Sequence, residues 1–165
     1  MRAFVTKLSP KEAVFMSKVL IANDHAGLAG KTIVKQTLDR MGVEYEDLGT
    51  NSEESVDYPD FAEKVARRVA AGEAERGILI CGSGIGISIA ANKIPGIRAA
   101  LAWNEETAKL SREHNDANIV AIGGRTTPAE TIEQITRAFL TTDFAGGRHV
   151  QRIEKIARLE QHSNS

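Results

Sequence analysis

From Lys18 onward the chain alternates short apolar runs with longer amphipathic stretches. Val19-Leu20-Ile21-Ala22 ends in Asn23-Asp24-His25, the pattern of a buried strand giving way to a polar loop. Residues 27–41 carry Leu28, Ile33, Leu38 and Met41 at helical spacing and stop at Gly42, a natural C-cap. Residues 43–48 alternate like a strand with one wet face. After a polar loop over 49–57, Tyr58-Pro59 opens a helix to about Ala71, because Pro suits the first turn. Gly77-Ile78-Leu79-Ile80-Cys81 is apolar on both faces, so it reads as the central strand.

Gly82 to Gly86 then opens a helix towards Lys93. Ile97 to Trp103 predicts a fourth strand, and Asn104 caps a helix whose first turn holds Glu105 and Glu106. Ile119 to Ile122 predicts a fifth strand, closed by Gly123-Gly124-Arg125. Thr127-Pro128-Ala129-Glu130 reads as a capping box for a helix to about Leu140. The last helix is expected from near Gly147 to about Leu159, and Trp103, the Phe residues and the Met residues read as core. Five strands alternating with helices predict an α/β fold, a parallel sheet covered on both faces. Such sheets bind ligands at the carboxyl ends of their strands, where this chain keeps Asp24-His25, Cys81 with its glycines, and Gly124-Arg125.

Two segments flank this unit. Ser9-Pro10-Lys11-Glu12 is a capping box that predicts a short helix over 10–16. Residues 1–17 otherwise read as an N-terminal extension, with Met16 an alternative start, and residues 161–165 as a disordered tail.

Composition narrows the function. Lys+Arg 21 against Asp+Glu 22 leaves a net charge of -1, so no basic field exists to hold a nucleic acid. One Cys excludes a disulfide framework and a cysteine zinc site. No two of the four His share a ligand spacing, so no metal is expected. The apolar run over 77–91 falls short of the about 20 residues a membrane span needs, and no signal peptide is visible. The chain reads as soluble and cytoplasmic.

The glycine loop is the strongest local feature. Gly82, Gly84 and Gly86 let backbone amides approach an anion at the positive end of the following helix, or else let that helix pack closely on a strand. The loop is neither a P-loop nor a dinucleotide fingerprint, because no Gly-Lys-Ser/Thr follows and Ile87 stands where the third glycine would. A lone Cys is most often a small buried hydrophobe, yet Cys81 beside a helix N-terminus is placed to act as base or nucleophile, with the Ser83 hydroxyl in the same loop. Asp24 and His25 offer a carboxylate and an imidazole at a loop mouth, or an N-cap with an incidental His. His114 closes a helix, where the dipole alone would favour it. Arg148 and Arg152, four apart, suit a phosphate as well as a solvated helix face.

Together these residues resemble the type B ribose-5-phosphate isomerase family, which includes the galactose-6-phosphate isomerase subunits. The resemblance rests on Asn23-Asp24-His25-Ala26-Gly27, Asp57-Tyr58-Pro59, Cys81-Gly82-Ser83-Gly84-Ile85-Gly86, Ala90-Ala91-Asn92-Lys93, Arg112-Glu113-His114-Asn115-Asp116, Gly123-Gly124-Arg125 and Gly147-Arg148-His149, in family order from about Lys18 to Glu160. It implies a doubly wound, Rossmann-like fold over 18–160. It also implies a homodimer or homotetramer with active sites at the subunit interface, acting on a sugar phosphate without metal or organic cofactor.

The implied reaction is the interconversion of ribose 5-phosphate and ribulose 5-phosphate through an enediolate. Some members use a Cys before the glycine loop as base and others a Glu inside it; Cys81 is present here and Ile87 fills the in-loop position, so the chain resembles the Cys type. By the same resemblance His114 is the ring-opening acid, and Asp24 and Asn115 hold the sugar. His25, Arg125, Arg148 and Arg152 form the phosphate group, some reaching across from a partner subunit. Ser83 and the amides of Gly82, Gly84, Ile85 and Gly86 meet the developing oxyanion. A tetrose phosphate, galactose 6-phosphate or allose 6-phosphate is the alternative substrate. A non-catalytic sugar-phosphate or nucleotide-binding module is the alternative of another class, and it would not need Cys81 and His114 together with the anion loop.

Overall fold

The computed structural model describes residues 17–161; the predicted helix over 10–16 and the end of the tail, 162–165, lie outside the described residues. The strands are β1 (Val19–Asn23), β2 (Tyr45–Asp47), β3 (Arg76–Cys81), β4 (Ala99–Leu101) and β5 (Ile119–Gly123). The helices are α1 (Leu28–Met41), α2 (Tyr58–Ala70), α3 (Ile85–Ala91), α4 (Glu105–Glu113), α5 (Ala129–Thr141) and α6 (His149–Gln161). The strands form one sheet in the order β2-β1-β3-β5-β4, every pairing parallel. This is the expected doubly wound, Rossmann-like α/β architecture.

The apolar runs explain the layering. Successive strand residues face opposite sides, so Ile21, Ile78, Ile80, Val120 and Ile122 pack with Val34 and Leu38 of α1 and with Ile132, Ile135 and Phe139 of α5. The alternate set, Leu20, Leu79, Ile119 and Ala121, packs with Phe61, Val65 and Val69 of α2 and Ile87 of α3. Cys81 belongs to this second layer.

Helix ends follow local chemistry. Gly42 caps α1 with φ 69°, and Asn104 caps α4 in a reciprocal box with Thr107. The box read at Thr127 does not form: Pro128 is the N-cap of α5 and no side chain bonds there, because its extended backbone starts the helix one residue later. Both edge strands are shorter than their apolar patterns, since β2 and β4 each have only one neighbour and three paired residues. Trp103 is not core: it follows buried Ala102 at the end of an edge strand, faces outward and is 64% exposed. α6 starts at His149 because Gly146 and Gly147 both take left-handed backbone (φ 66° and 58°), and Gln161, read as tail, closes it.

Candidate functional site

The order in which strands are added reverses between β1 and β3: β2 lies beyond β1 on one side, and β3 leads to the rest on the other. Such a switch point opens a crevice at the strands' carboxyl ends. Here it falls between Asp24 and Cys81. Asp24 is buried, its amide bonds the Ile80 carbonyl at 3.2 Å, and its Oδ1 accepts from the Gly27 amide at 2.9 Å. Both readings of Asp24 therefore meet in one residue, a cap that also stands at the crevice. Gly27 is required, because a Cβ there would lie 2.3 Å from the Ile80 carbonyl oxygen. The next residue, His25, is half-buried, and its Nδ1 accepts from the Val56 amide at 3.2 Å, which ties the 49–57 loop to the crevice.

Cys81 ends β3 and is 4% exposed, with Sγ accepting from the Gly84 amide at 3.2 Å. Ser83 Oγ accepts from the Ile85 amide at 3.2 Å, so two of the loop amides already serve site side chains. Gly84 turns the loop with φ 77°, and Gly86 lies under the Tyr58 ring. The adjoining turn is bound to this loop: Gly124 donates to the Cys81 carbonyl at 2.7 Å and Arg125 to that of Gly82 at 3.0 Å. The exposed Arg125 side chain begins near Gly82. Asp24, His25, Cys81, Gly82, Ser83, Gly84, Ile85, Gly86 and Arg125 thus share one end of the sheet.

His114, Asn115, Arg148 and Arg152 do not join them. Parallel topology sends α4 back from the end of β4 to the start of β5, so its C-cap His114 lies at the amino-terminal end of the sheet. Asn118 marks that end by donating to the carbonyl of Arg98, just before β4. Cys81 pairs with Gly123 at the far end of β5, about 13 Å of strand away at the usual rise per residue.

The second cluster has its own geometry. The rings of His114 and His149 stack with centroids 4.4 Å apart and planes at 15°. Burial first, then the positive charge of His114, Arg148 and Arg152, holds the His149 imidazole below its ordinary pKa. Arg112 and Arg98 fix the turn after His114: Arg112 binds Asp116 Oδ1 at 2.8 Å and the Ala117 carbonyl, while Arg98 binds the carbonyls of Asn115 and Asp116. Arg148 lies one residue ahead of α6 and Arg152 in its first turn, both exposed.

Sequence reasoning gave no role to His149, whose signal is its place between glycines and two arginines. It also passed over Lys31, although Lys31, Val34, Leu38 and Met41 form the buried stripe of α1. A cavity of about 820 Å³ lies between α6 and β4, lined by Ile97, Ala99, Asn115, Ile156 and Leu159 among others. Among the described residues no cluster of His, Cys, Asp or Glu could hold a metal, and no helix is long and apolar enough to cross a membrane.

Residues 19–156 match the sequence profile of the family described as Ribose/Galactose Isomerase. The chain belongs to this family. Ribose-5-phosphate isomerase B of Escherichia coli (strain K12) is 47% identical over 149 residues, 90% of this chain and 100% of that one. A solved Clostridium thermocellum ribose-5-phosphate isomerase B superposes with a TM-score of 0.86 at 49% identity, covering 88% of this chain and 99% of the other. A Mycoplasma genitalium ribose-5-phosphate isomerase B, solved with bound ribulose 5-phosphate, gives a TM-score of 0.83 at 42% identity over 87% and 96% of the two chains. As a ribose/galactose isomerase, the protein is an enzyme, and the type B ribose-5-phosphate isomerases are its structural neighbours.

Proposed function

We propose that the protein interconverts ribose 5-phosphate and ribulose 5-phosphate, in sites that each take the strand-end cluster from one copy and the His114 cluster from a second. The observation that carries this reading is Cys81 at the switch-point crevice, flanked by Asp24 and by the glycine loop. The E. coli relative is named for this activity, and the M. genitalium relative was solved with the ketose phosphate.

In this reading Cys81, as thiolate, takes the proton from C2 of the open aldose and returns it to C1, while the hydroxyl proton passes from O2 to O1. The enediolate between the two transfers carries negative charge on its oxygens. Ser83 meets that charge well, because its Oγ already accepts from Ile85 and its own proton is left to donate. The amides of Gly82 and Gly86 add donors from the same loop, while those of Gly84 and Ile85 act indirectly by holding Cys81 Sγ and Ser83 Oγ. Asp24 and Asn115 hold the hydroxyls, and His114 protonates the ring oxygen to open the furanose. His25 and Arg125 of one copy, with Arg148 and Arg152 of the other, hold the phosphate, which fixes the reacting carbons at the base.

Chemistry as well as topology supports a second copy. A base and a ring-opening acid at opposite ends of one sheet cannot serve one five-carbon sugar. Apolar side chains lie exposed where a partner would cover them: Ile85 and Ile89 on α3 at 53% and 56%, and Leu159 on α6 at 69%. A homodimer or homotetramer would bury them.

The test is to incubate the protein with ribose 5-phosphate in deuterated buffer containing EDTA and follow the sugar by proton NMR. Ketose formation with deuterium entering at the transferred carbon is the expected result. A folded protein that leaves ribose 5-phosphate unchanged contradicts the pentose assignment.

A further inference from the structure

We propose that Lys31 is a positioning residue for His25, acting through the 49–57 loop; the proposal rests on the reading of His25 as a substrate-binding group. Lys31 occupies the inward stripe of α1, and its side chain is only 3% exposed. A lysine ammonium in such a place needs every proton accepted. It has them: Nζ donates to the Thr50 carbonyl at 2.6 Å, to Asn51 Oδ1 at 2.8 Å and to Asp47 Oδ1 at 3.2 Å.

All three partners lie at the end of β2 or just beyond it, where the chain leaves the sheet. Residues 49–57 form no helix or strand, and most of them are exposed. Such a segment keeps one position only where buried groups hold it. Lys31 provides that hold at its start, beside the bond from the Thr50 amide to the Asn23 carbonyl at 3.3 Å. At its other end the Val56 amide donates to His25 Nδ1 at 3.2 Å.

That last bond decides how the imidazole presents itself. A ring that accepts at Nδ1 carries its neutral-form proton on Nε2, so Nε2–H is the donor left for an anionic substrate oxygen. Lys31 thereby selects one tautomer of His25 without touching the substrate.

Lys31→Met fills similar space without donors. Two readouts apply: long-range proton–nitrogen NMR of the His25 ring, and kcat and KM for ribose 5-phosphate. The wild-type ring should show the single Nε2–H tautomer. In Lys31→Met the ring nitrogens should average between tautomers, and KM should rise about tenfold with kcat within about twofold, the loss of one hydrogen bond to a charged ligand. Lys31→Arg should recover both. Should Lys31→Met fail to fold, Val56→Pro removes the final donor with Lys31 in place and should give the same tautomer and KM changes. A folded variant of either kind with the His25 tautomer and KM unchanged overturns the proposal, as does lowered thermal stability with the tautomer intact. If the wild-type protein ignores ribose 5-phosphate, the substrate reading fails by itself, and the His25 spectrum still decides the role of Lys31.

Discussion

The imidazole of His149 lies face to face on that of His114, 4.4 Å between centroids, and so joins the first residue of α6 to the last cap of α4. Protonating both rings would place two cations in contact beside Arg148 and Arg152. Folding therefore keeps His149 neutral where the unfolded chain, with an imidazole near 6.5, would begin to bind a proton. The unfolded state binds more protons in that window, so stability rises with pH there. The His149 contribution is complete above about pH 6.5 and is lost as pH falls below it. Thermal melts between about pH 7.5 and 5.5 should show a decline that His149→Phe, which keeps the stacked ring, reduces. A wild-type curve no steeper than that of the variant would contradict the coupling.

Cys81→Ala should lower kcat by at least about 10²-fold, the range a positioned base supplies, with circular dichroism and oligomeric state unchanged. Its side chain is small and, among the described residues, its polar contact is with the Gly84 amide alone, so the fold has little to lose. Turnover near the wild-type value would remove Cys81 as the base.

Arg148→Ala and Arg152→Ala should each raise KM about tenfold or more, with a smaller effect on kcat, because the proposed site uses each guanidinium to grip a phosphate remote from the reacting carbons. Both side chains are exposed. An unchanged KM in both variants would place the phosphate elsewhere.

Gly84→Ala should be worse than its size suggests. The residue has φ 77°, which costs an alanine about 1–2 kcal/mol. Its Cβ would also lie 2.9 Å from the Gly123 amide nitrogen and 2.6 Å from Leu101. Denaturant unfolding should show a loss of at least about 2 kcal/mol, and activity should fall as the loop leaves Cys81. A variant as stable as wild type would mean that the loop has another conformation available.

The sheet was legible in the sequence because Ile78 to Cys81, apolar on both faces, is too short for a buried helix and is flanked by Gly77 and Gly82. Gly42 and Asn104 announced their helix ends by chemistry that acts within a few residues. Edge strands were overestimated, and Trp103 misplaced, because apolar pattern does not say how many neighbours a strand will have. Lys31 escaped notice because its partners, Asp47, Thr50 and Asn51, come from a distant stretch of chain. The cysteine and the glycine loop were found where the sheet ends, as expected. The separation of Cys81 from His114 was also open to inference, since a residue that closes a helix before a parallel strand must lie at that strand's start. Family order along the chain concealed it.

That separation supplies the decisive experiment. Cys81→Ala and His114→Ala should each be inactive alone. Mixed and allowed to exchange subunits, they should form hybrids in which one shared site carries both substitutions and the other carries neither. Activity should return to about a quarter of the wild-type value, the yield of random pairing in a twofold assembly. If each copy held a complete site of its own, every site in the hybrid would keep one defect. The mixture would then stay as inactive as its parts.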